Sequence, residues 1–296
     1  LSTANFDGRI PDQLGNASSL RVLDLSFNQI SSAGLQWLSH LRFLQYLDLS
    51  FVDLTKASDW SQAIDKLPSL TELYLIANSL PPVARDSDIP LNFSGSLASL
   101  HLASNSLDSS IYPWILKFNG SLVEADLSYN QLQGPTPESF KVLCSLKSLA
   151  ITSNLISQKL SDVFKAFSGC TQNVLEILDL SSNQIFGSIP DLTRFSSLRK
   201  LYLYDNSLNG TFTNTFHLPS SLRVLDLGRN EIRGRLPDLK EFSFLWKVYL
   251  GENQLMGTIN KELGLLSRLK TLDFSSNYLE GTLFEVHFSN LTDFHA

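Results

Sequence analysis

The chain repeats one eleven-residue line eleven times. The first full copy reads LRVLDLSFNQI from Leu20 to Ile30 and has the form LxxLxLxxNxI. Later copies follow at intervals of 23 to 29 residues. The copies open at Leu20, Leu44, Leu70, Leu97, Leu122, Leu146, Leu175, Leu198, Leu222, Leu245 and Leu269. A unit this short cannot bury its apolar face alone, so successive copies must stack to share a core.

The middle of each copy alternates apolar and polar residues, which is the pattern of a short β-strand. Leu23 and Leu25 point to one face of the strand, and Asp24 and Ser26 point to the other. Strands from successive copies are expected to pair in parallel. The period is typical of leucine-rich repeats. The sequence therefore predicts an α/β fold, a right-handed solenoid with a parallel β-sheet on its concave face.

The repeats extend over the whole chain. A single solenoid is expected over residues 1–296, with about eleven complete repeats and a partial repeat at each end (1–19 and 291–296). No run of eighteen apolar residues, the length of a membrane-spanning helix, interrupts the repeats. The formal charge of −6, without a basic block, argues against nucleic acid as a partner.

An asparagine occupies the ninth position of the line in nearly every copy. A buried asparagine carries two donors and an acceptor, so stacked copies are expected to form a ladder that satisfies backbone groups where the chain leaves the strand. Val52 stands in this column in repeat 2 and predicts a local irregularity. The column consists of Asn28, Asn78, Asn105, Asn130, Asn154, Asn183, Asn206, Asn230, Asn253 and Asn277.

Phenylalanines recur on the return leg, a few residues before the next strand. Aromatic residues at repeat spacing usually belong to the core, so they are expected to stack as an apolar spine opposite the leucines. These residues are Phe140, Phe164, Phe216, Phe242 and Phe288.

Many copies continue beyond the asparagine as LxGxxP, as at Ile185–Pro190 and Ile232–Pro237. Glycine permits a tight turn there, and proline fixes the direction in which the chain leaves. This tail resembles that of the plant extracellular subclass of leucine-rich repeats, whose repeats carry a second short strand. Repeats 1 to 4 mostly lack the tail, and repeats 10 and 11 have Asn260 and Phe284 in place of proline. The tail does not support a second strand in those repeats.

Other segments narrow the resemblance. The stretches around Trp37 and Trp60 look like the early repeats of plant receptor-like proteins, similar to the receptors for fungal xylanase and the Cf-type resistance proteins. The later segments around Trp114 and Cys170 resemble the same group. That family implies an ectodomain on the extracellular side of the plasma membrane, a single membrane span outside this segment, and a short cytoplasmic tail without a kinase. It also implies a role in immunity or development, with a leucine-rich-repeat kinase as co-receptor.

A ligand would contact the side chains that point outward from the strands. The middle outward position of each strand, as at Asp24, is usually aspartate. Departures from this habit cluster in repeats 8 to 10, where tyrosine, tryptophan and arginine resemble the composition of binding hot spots. The hypothesis is a peptide or protein ligand on the concave face, although ordinary drift on a solvated face explains the same residues. The candidate residues are Lys200, Tyr202, Tyr204, Asp205, Arg229, Trp246, Lys247, Tyr249 and Glu252.

A second and weaker patch is formed by Tyr74, Ile76 and His101 in repeats 3 and 4. It ranks lower because Tyr74 is its only large aromatic residue.

Glycosylation is expected if the chain is secreted. N-x-S/T sequons are surface features of secreted proteins, and several of those present lie on the connecting legs. The sequons begin at Asn16, Asn92, Asn119, Asn209 and Asn290.

The two cysteines, Cys144 and Cys170, lie just before the strands of successive repeats. A long repeat separates them, so they can pair if their Cα atoms approach within about 7 Å. The alternative is two buried free thiols.

No signature of catalysis is present. The five histidines show no HExxH spacing, and neither GxSxG nor a phosphate-binding GxxxxGK[ST] loop occurs. No enzymatic role, metal or cofactor is expected. Two alternatives to a receptor ectodomain remain: a secreted inhibitor of cell-wall-degrading enzymes, similar to polygalacturonase-inhibiting proteins, or a non-functional gene fragment.

Overall fold

The computed structural model describes residues 1–83, 95–212, 216–237, 239–287 and 289. Its residue contacts group into two compact units, each made of stacked repeats. The first unit comprises Leu1–Gln133 and Val142–Asn154, and the second comprises Gly134–Lys141 and Leu155–Ala296. The extent of a single solenoid over residues 1–296 stays a prediction.

The first unit contains six short strands that pair in parallel, each with the strand of the next repeat. Their middle residues are in register, as Leu23 with Leu47, so the apolar side chains form one continuous row. The strands are Val22–Asp24, Tyr46–Asp48, Glu72–Tyr74, Ser99–His101, Glu124–Asp126 and Ser148–Ala150.

The second unit contains five strands of the same kind, also parallel and in register. All eleven strands lie where the xLxL alternation predicts, which confirms the leucine-rich-repeat fold and its parallel sheet. The strands of the second unit are Ile177–Asp179, Lys200–Tyr202, Val224–Asp226, Lys247–Tyr249 and Thr271–Asp273.

The asparagine ladder is present in both units. The Asn230 Oδ1 accepts a hydrogen bond from the backbone N–H of Leu208 at 2.9 Å. Its Nδ2 donates to the carbonyls of Leu203 at 2.9 Å and of Leu227 at 3.1 Å. One side chain therefore satisfies backbone groups of two repeats. The same arrangement holds at Asn105, Asn130, Asn154, Asn206, Asn253 and Asn277.

The irregularity predicted at Val52 is confirmed, and it affects the next asparagine. Val52 is buried, and its side chain has no carboxamide group to extend the ladder. The backbone N–H of Leu54 donates to the main-chain carbonyl of Asn78 at 3.1 Å and not to its side chain. The Asn78 Oδ1 is buried without a hydrogen-bond partner as a result.

The return legs are short helices and turns with aromatic cores. Phe140, Phe164, Phe216 and Phe242 are buried, as predicted, and the rings of Phe216 and Phe242 meet edge-on with centroids 6.3 Å apart. Phe288 lies outside the described residues. The α-helices are Trp60–Ile64, Ile111–Ile115 and Leu160–Ala166. The 3-10 turns are Asp12–Asn16, Gln36–His40, Leu116–Phe118, Glu138–Val142, Thr171–Asn173, Leu239–Phe242, Lys261–Leu265 and Glu285–His287.

Second strands form in more repeats than the GxxP tail predicts. They also occur in repeats 1, 10 and 11, which lack the GxxP tail or its proline. The proline was therefore the wrong criterion for a second strand. The left-handed glycine Gly257, with φ of +91°, lies inside its strand, whereas the proline position falls after the strand has ended. Asn260 at that position accepts a hydrogen bond from the N–H of Glu262 at 3.1 Å and starts the next turn. The paired second strands are Asp7–Arg9 with Gln29–Ser31, Phe186–Gly187 with Ser207–Leu208, Arg233–Arg235 with Gln254–Thr258, and Gln254–Thr258 with Tyr278–Glu280.

Candidate ligand-binding face

The nine residues predicted in repeats 8 to 10 all lie in the second unit, and we call them the second-unit patch. Every one of them is exposed or half-buried. Strand pairing aligns Tyr202 with Asp226 and Asp226 with Tyr249. The two tyrosines are therefore separated by one strand, or about 10 Å. Lys200 and Lys247 flank Val224 in the adjacent row.

Three members of the patch lie at the corner where the chain leaves the strand. Asp205, Arg229 and Glu252 have left-handed φ angles of 56°, 52° and 53°. This position precedes the motif asparagine, and its backbone turn directs the side chain to the rim of the sheet. The Nε of Arg229 lies 3.2 Å from the Asp205 Oδ1. A hydrogen bond with the Tyr204 hydroxyl, and then the charge of Asp205, raise the pKa of Arg229 above its usual value.

Burial and neighbouring carboxylates modify the acid-base behaviour of the patch. Burial, together with the charges of Asp179 and Asp226, raises the pKa of Tyr202. Burial also raises the pKa of Asp226, and the charges of Asp179 and Asp273 act in the same direction. The tyrosine therefore stays a neutral hydrogen-bonding phenol at physiological pH. The carboxylate column is partly desolvated, and a cation or hydrogen-bond donor would stabilise it.

Trp246 extends the patch toward a cavity that the sequence did not reveal. The Trp246 side chain is 48% exposed, and the Arg223 guanidinium carbon lies 5.9 Å from the ring centroid. This distance is within the range of a cation–π contact. A cavity of about 350 Å³ is lined by Arg223, Trp246, Ser267, Arg268, Leu269 and Lys270. Three of the lining residues, Arg223, Arg268 and Lys270, are cationic and lie just before a strand. They are not among the outward strand positions from which the ligand-binding residues were predicted.

The weaker patch, in the first unit, contains more aromatic surface than its sequence suggested. Tyr74 and His101 stack with centroids 4.5 Å apart and an interplanar angle of 3°. Tyr46 lies on the other side of Tyr74, 5.3 Å away between centroids. The sequence analysis counted Tyr74 as the only large aromatic residue because it left out the first outward position of the neighbouring strand, which Tyr46 occupies.

Two further aromatic residues of the first unit were also missed. Phe27 and Phe51 lie at left-handed corners, with exposed fractions of 56% and 48%. Their rings stack at 4.4 Å. Their position in the repeat could have predicted them. Each directly precedes the asparagine column, and the side chain at that position points to solvent at every corner.

Three predicted glycosylation sites, Asn16, Asn119 and Asn209, are exposed at the ends of turns or strands. Asn92 and Asn290 lie outside the described residues. Occupancy of all five stays a prediction.

The structure contains no free cysteine, and both Cys144 and Cys170 are disulfide-bonded. The chain has two cysteines in all, so the two free thiols that were the alternative are absent from the structure.

Two features are absent from the described part of the chain. No helix in it has the length and apolar character needed to cross a membrane. No group of three or more histidine, cysteine, aspartate or glutamate side chains in those ranges is arranged to hold a metal ion.

Comparison with known proteins agrees with the fold. Residues 16–39 match one Leucine Rich Repeat family, and residues 121–143, 174–195 and 268–291 match another of the same description. The structure superposes on that of PEPR1–AtPEP1 with a TM-score of 0.77 and 26% identity, covering 99% of this chain and 40% of that one. The chain is a leucine-rich-repeat protein.

Sequence similarity shows which group of leucine-rich-repeat proteins the chain belongs to. The chain is 40% identical over 239 residues to Receptor-like protein EIX1 of Solanum lycopersicum, a match that covers 72% of this chain and 23% of the relative. It belongs to the plant leucine-rich-repeat receptor-like proteins. The chain spans about a quarter of the length of the curated relatives that it matches.

A receptor kinase of Arabidopsis thaliana gives a third comparison. Its structure is described as the ectodomain of GASSHO1/SCHENGEN3 in complex with CASPARIAN STRIP INTEGRITY FACTOR 2. The TM-score is 0.64 with 26% identity, over 94% of this chain and 38% of that one.

Proposed function

We propose that this chain is a ligand-binding segment of a plant cell-surface receptor ectodomain that captures a peptide or protein ligand for immune or developmental signalling. The observation that carries the proposal is the alignment of Tyr202 and Tyr249 on either side of Asp226. Two rigid aromatic side chains about 10 Å apart present contact area at low entropic cost.

The lysine row of the second-unit patch favours acidic groups of an extended ligand, whereas the Asp226 carboxylate between the two tyrosines favours a cation or a hydrogen-bond donor. Lys200 and Lys247 lie in the row beside the tyrosines, and Arg223 lies over Trp246. Backbone amides and carbonyls of the sheet are already paired, so the side chains must supply recognition. A ligand crossing several strands would contact tyrosine, lysine and the cavity beside Trp246 in succession.

The relatives support the proposed cellular setting. The chain is 40% identical to Receptor-like protein EIX1 over 239 residues, and the receptor kinase ectodomain named above was solved in complex with a factor. The proposed location is the extracellular side of the plasma membrane, with a membrane span outside this segment. A leucine-rich-repeat kinase is the proposed co-receptor. The proposed role is binding and not catalysis.

A peptide library tests the proposal. Twelve-residue peptides displayed on phage are selected on the immobilised protein, and the selected peptides are then titrated against the Tyr202→Ala, Tyr204→Ala, Tyr249→Ala triple variant. Loss of several hot-spot aromatics is expected to weaken binding by at least about a hundredfold, because each such residue contributes about 2 kcal/mol or more.

A double variant at exposed tyrosines elsewhere provides the matched control. Tyr129 and Tyr278 are 61% and 70% exposed, and their replacement by alanine should leave the affinity unchanged. If the triple variant keeps the affinity of the parent while peptides still bind, the ligand does not use the second-unit patch and the proposal fails.

A further inference from the structure

The outward side of repeats 1 and 2 carries aromatic and acidic side chains along two neighbouring strands and the corners that follow them. Strand pairing places Asp24 beside Asp48. Tyr46 precedes Asp48 by two residues on the same face, and the stacked rings of Phe27 and Phe51 follow the two aspartates at the corner. We call Asp24, Asp48, Tyr46, Phe27 and Phe51 the acid–aromatic cradle.

The two carboxylates of the cradle are adjacent like charges. Each uses its Oδ1 to accept the backbone N–H two residues further on, from Ser26 at 3.0 Å and from Ser50 at 2.8 Å. Their Oδ2 atoms accept no hydrogen bond from the described residues. Like charges facing each other across neighbouring strands destabilise a sheet, and a bound cation would relieve that repulsion.

The tyrosine of the cradle closes one end of an aromatic stack. Tyr74 lies between Tyr46 and His101, so its ring faces are covered on both sides. Tyr46 has Tyr74 on one side and the Val22–Asp24 strand on the other. Burial, with the charges of Asp48 and Asp24, raises the pKa of Tyr46 to about 12, so the ring stays a neutral phenol. An electron-rich ring beside two carboxylates attracts a cation from two directions.

The charges of the surrounding strands agree in sign. The outward positions of the six first-unit strands carry Asp24, Asp48, Glu72, Glu124 and Asp126 but no lysine or arginine. The corresponding positions of the second unit include Lys200 and Lys247. A cationic ligand group would therefore meet no lysine or arginine at these strand positions. An anionic group would meet repulsion there.

We propose that the acid–aromatic cradle binds a lysine or arginine side chain of an extended peptide or protein segment. The charged end lies between Asp24 and Asp48 and against Tyr46. The methylene stem packs on Phe27 and Phe51, whose exposed rings offer apolar surface to an amphipathic side chain. This site lies on other residues than the second-unit patch and goes beyond the function proposed above.

A cationic probe peptide tests the cradle. The probe is a fluorescein-labelled dodecapeptide of alternating lysine and glycine, and its anisotropy is measured against the whole chain at low ionic strength. Asp24→Asn combined with Asp48→Asn keeps the backbone hydrogen bonds and is expected to weaken binding about tenfold. Tyr46→Leu keeps the apolar volume and is expected to weaken binding about two- to fivefold.

Matched controls separate the cradle from diffuse attraction to an acidic protein. Asp179→Asn combined with Asp273→Asn removes the same two charges from the same column of the second unit and should change the affinity less than about twofold. A dodecapeptide with glutamate in place of lysine should not bind. If the second-unit pair weakens binding as much as the cradle pair, the probe senses net charge and the proposal is overturned.

Two further variants keep the outcome decisive. If Tyr46→Leu lowers the melting temperature, Phe51→Leu tests the aromatic contribution instead, because Phe51 is exposed. Unchanged binding in whichever of these variants is folded would overturn the aromatic role and with it the cradle. The triple tyrosine variant of the second-unit patch should bind the probe normally, so failure of one proposal leaves the other standing.

Discussion

The carboxamide of Asn230 donates a hydrogen bond of 2.9 Å to the carbonyl of Leu203, which belongs to the preceding repeat. Its oxygen accepts the N–H of Leu208 in that repeat at 2.9 Å. Asn230→Ala would leave the buried N–H of Leu208 without a partner, at a cost of about 1–3 kcal/mol. It would also remove one of the two side-chain donors at each of the Leu203 and Leu227 carbonyls, which keep Asn206 and Asn253. We expect the free energy of unfolding to fall by about 3 kcal/mol, as measured by urea denaturation.

Asn78 is the matched control because its side chain forms fewer of these bonds. Its Nδ2 donates to the carbonyls of Leu49 and Val52, but its buried Oδ1 has no partner. Asn78→Ala should therefore cost at least about 1 kcal/mol less than Asn230→Ala. Equal losses would show that the acceptor half of the ladder contributes nothing.

A buried ion pair joins two return legs of the first unit. The Lys117 Nζ lies 2.6 Å from the Asp65 Oδ2, and the side chains are only 8% and 19% exposed. The Trp114 Nε1 donates to the other carboxylate oxygen at 2.9 Å. Asp65→Ala would leave the ammonium group buried without a counter-charge. We expect a loss of about 3–5 kcal/mol in the free energy of unfolding.

The control for this prediction is an ion pair on the surface of the second unit. Lys165 and Glu138 approach within 3.5 Å, but their side chains are 69% and 71% exposed. Glu138→Ala should change the free energy of unfolding by less than about 1 kcal/mol. A similar small effect for Asp65→Ala would mean that water reaches the Lys117 ammonium group.

The sequence predicted the features that one repeat can encode by itself. The xLxL alternation fixed all eleven strands, since Leu201 and its equivalents must face the core for the strand to pair. The asparagine column predicted the ladder, and its one exception at Val52 predicted a local irregularity. The structure adds that this irregularity leaves the Asn78 Oδ1 without a partner. The strands and the asparagine ladder depend only on the pattern within one repeat and on a neighbouring repeat with the same pattern.

Features that depend on residues far apart in the sequence could not be predicted in this way. Asp65 meets Trp114 and Lys117 about fifty positions away, two repeats further along. The cradle needs Tyr46 and Phe51 from one repeat with Asp24 and Phe27 from another, at three different columns. Reading the outward face one column at a time concealed that cluster.

The cysteines allow a chemical test. Cys144 and Cys170 are both disulfide-bonded, and we predict that they pair with each other. Peptide mapping by mass spectrometry without reduction should find one linked peptide that contains both residues. Cys144→Ser should lower the free energy of unfolding by about 3 kcal/mol in the chain-entropy model. Two separate peptides, each carrying an unmodified thiol, would contradict the pairing.

The pH dependence of stability should reveal the desolvated carboxylate of Asp226. Burial raises its pKa in the folded state, so its protonated form favours folding and that stabilisation is lost as the pH rises through the folded-state pKa. Asp226→Asn keeps an acceptor for the Gly228 N–H and should raise the melting temperature at pH 7, with a smaller difference toward the unfolded-state pKa of about 3.9. Asp53 provides the opposite sign, because its hydrogen bonds with Thr55 lower its pKa. Asp53→Asn should lower the melting temperature at pH 7 and lose that effect in acid. A melting temperature for Asp226→Asn that falls at pH 7 would show that the carboxylate charge stabilises the strand face.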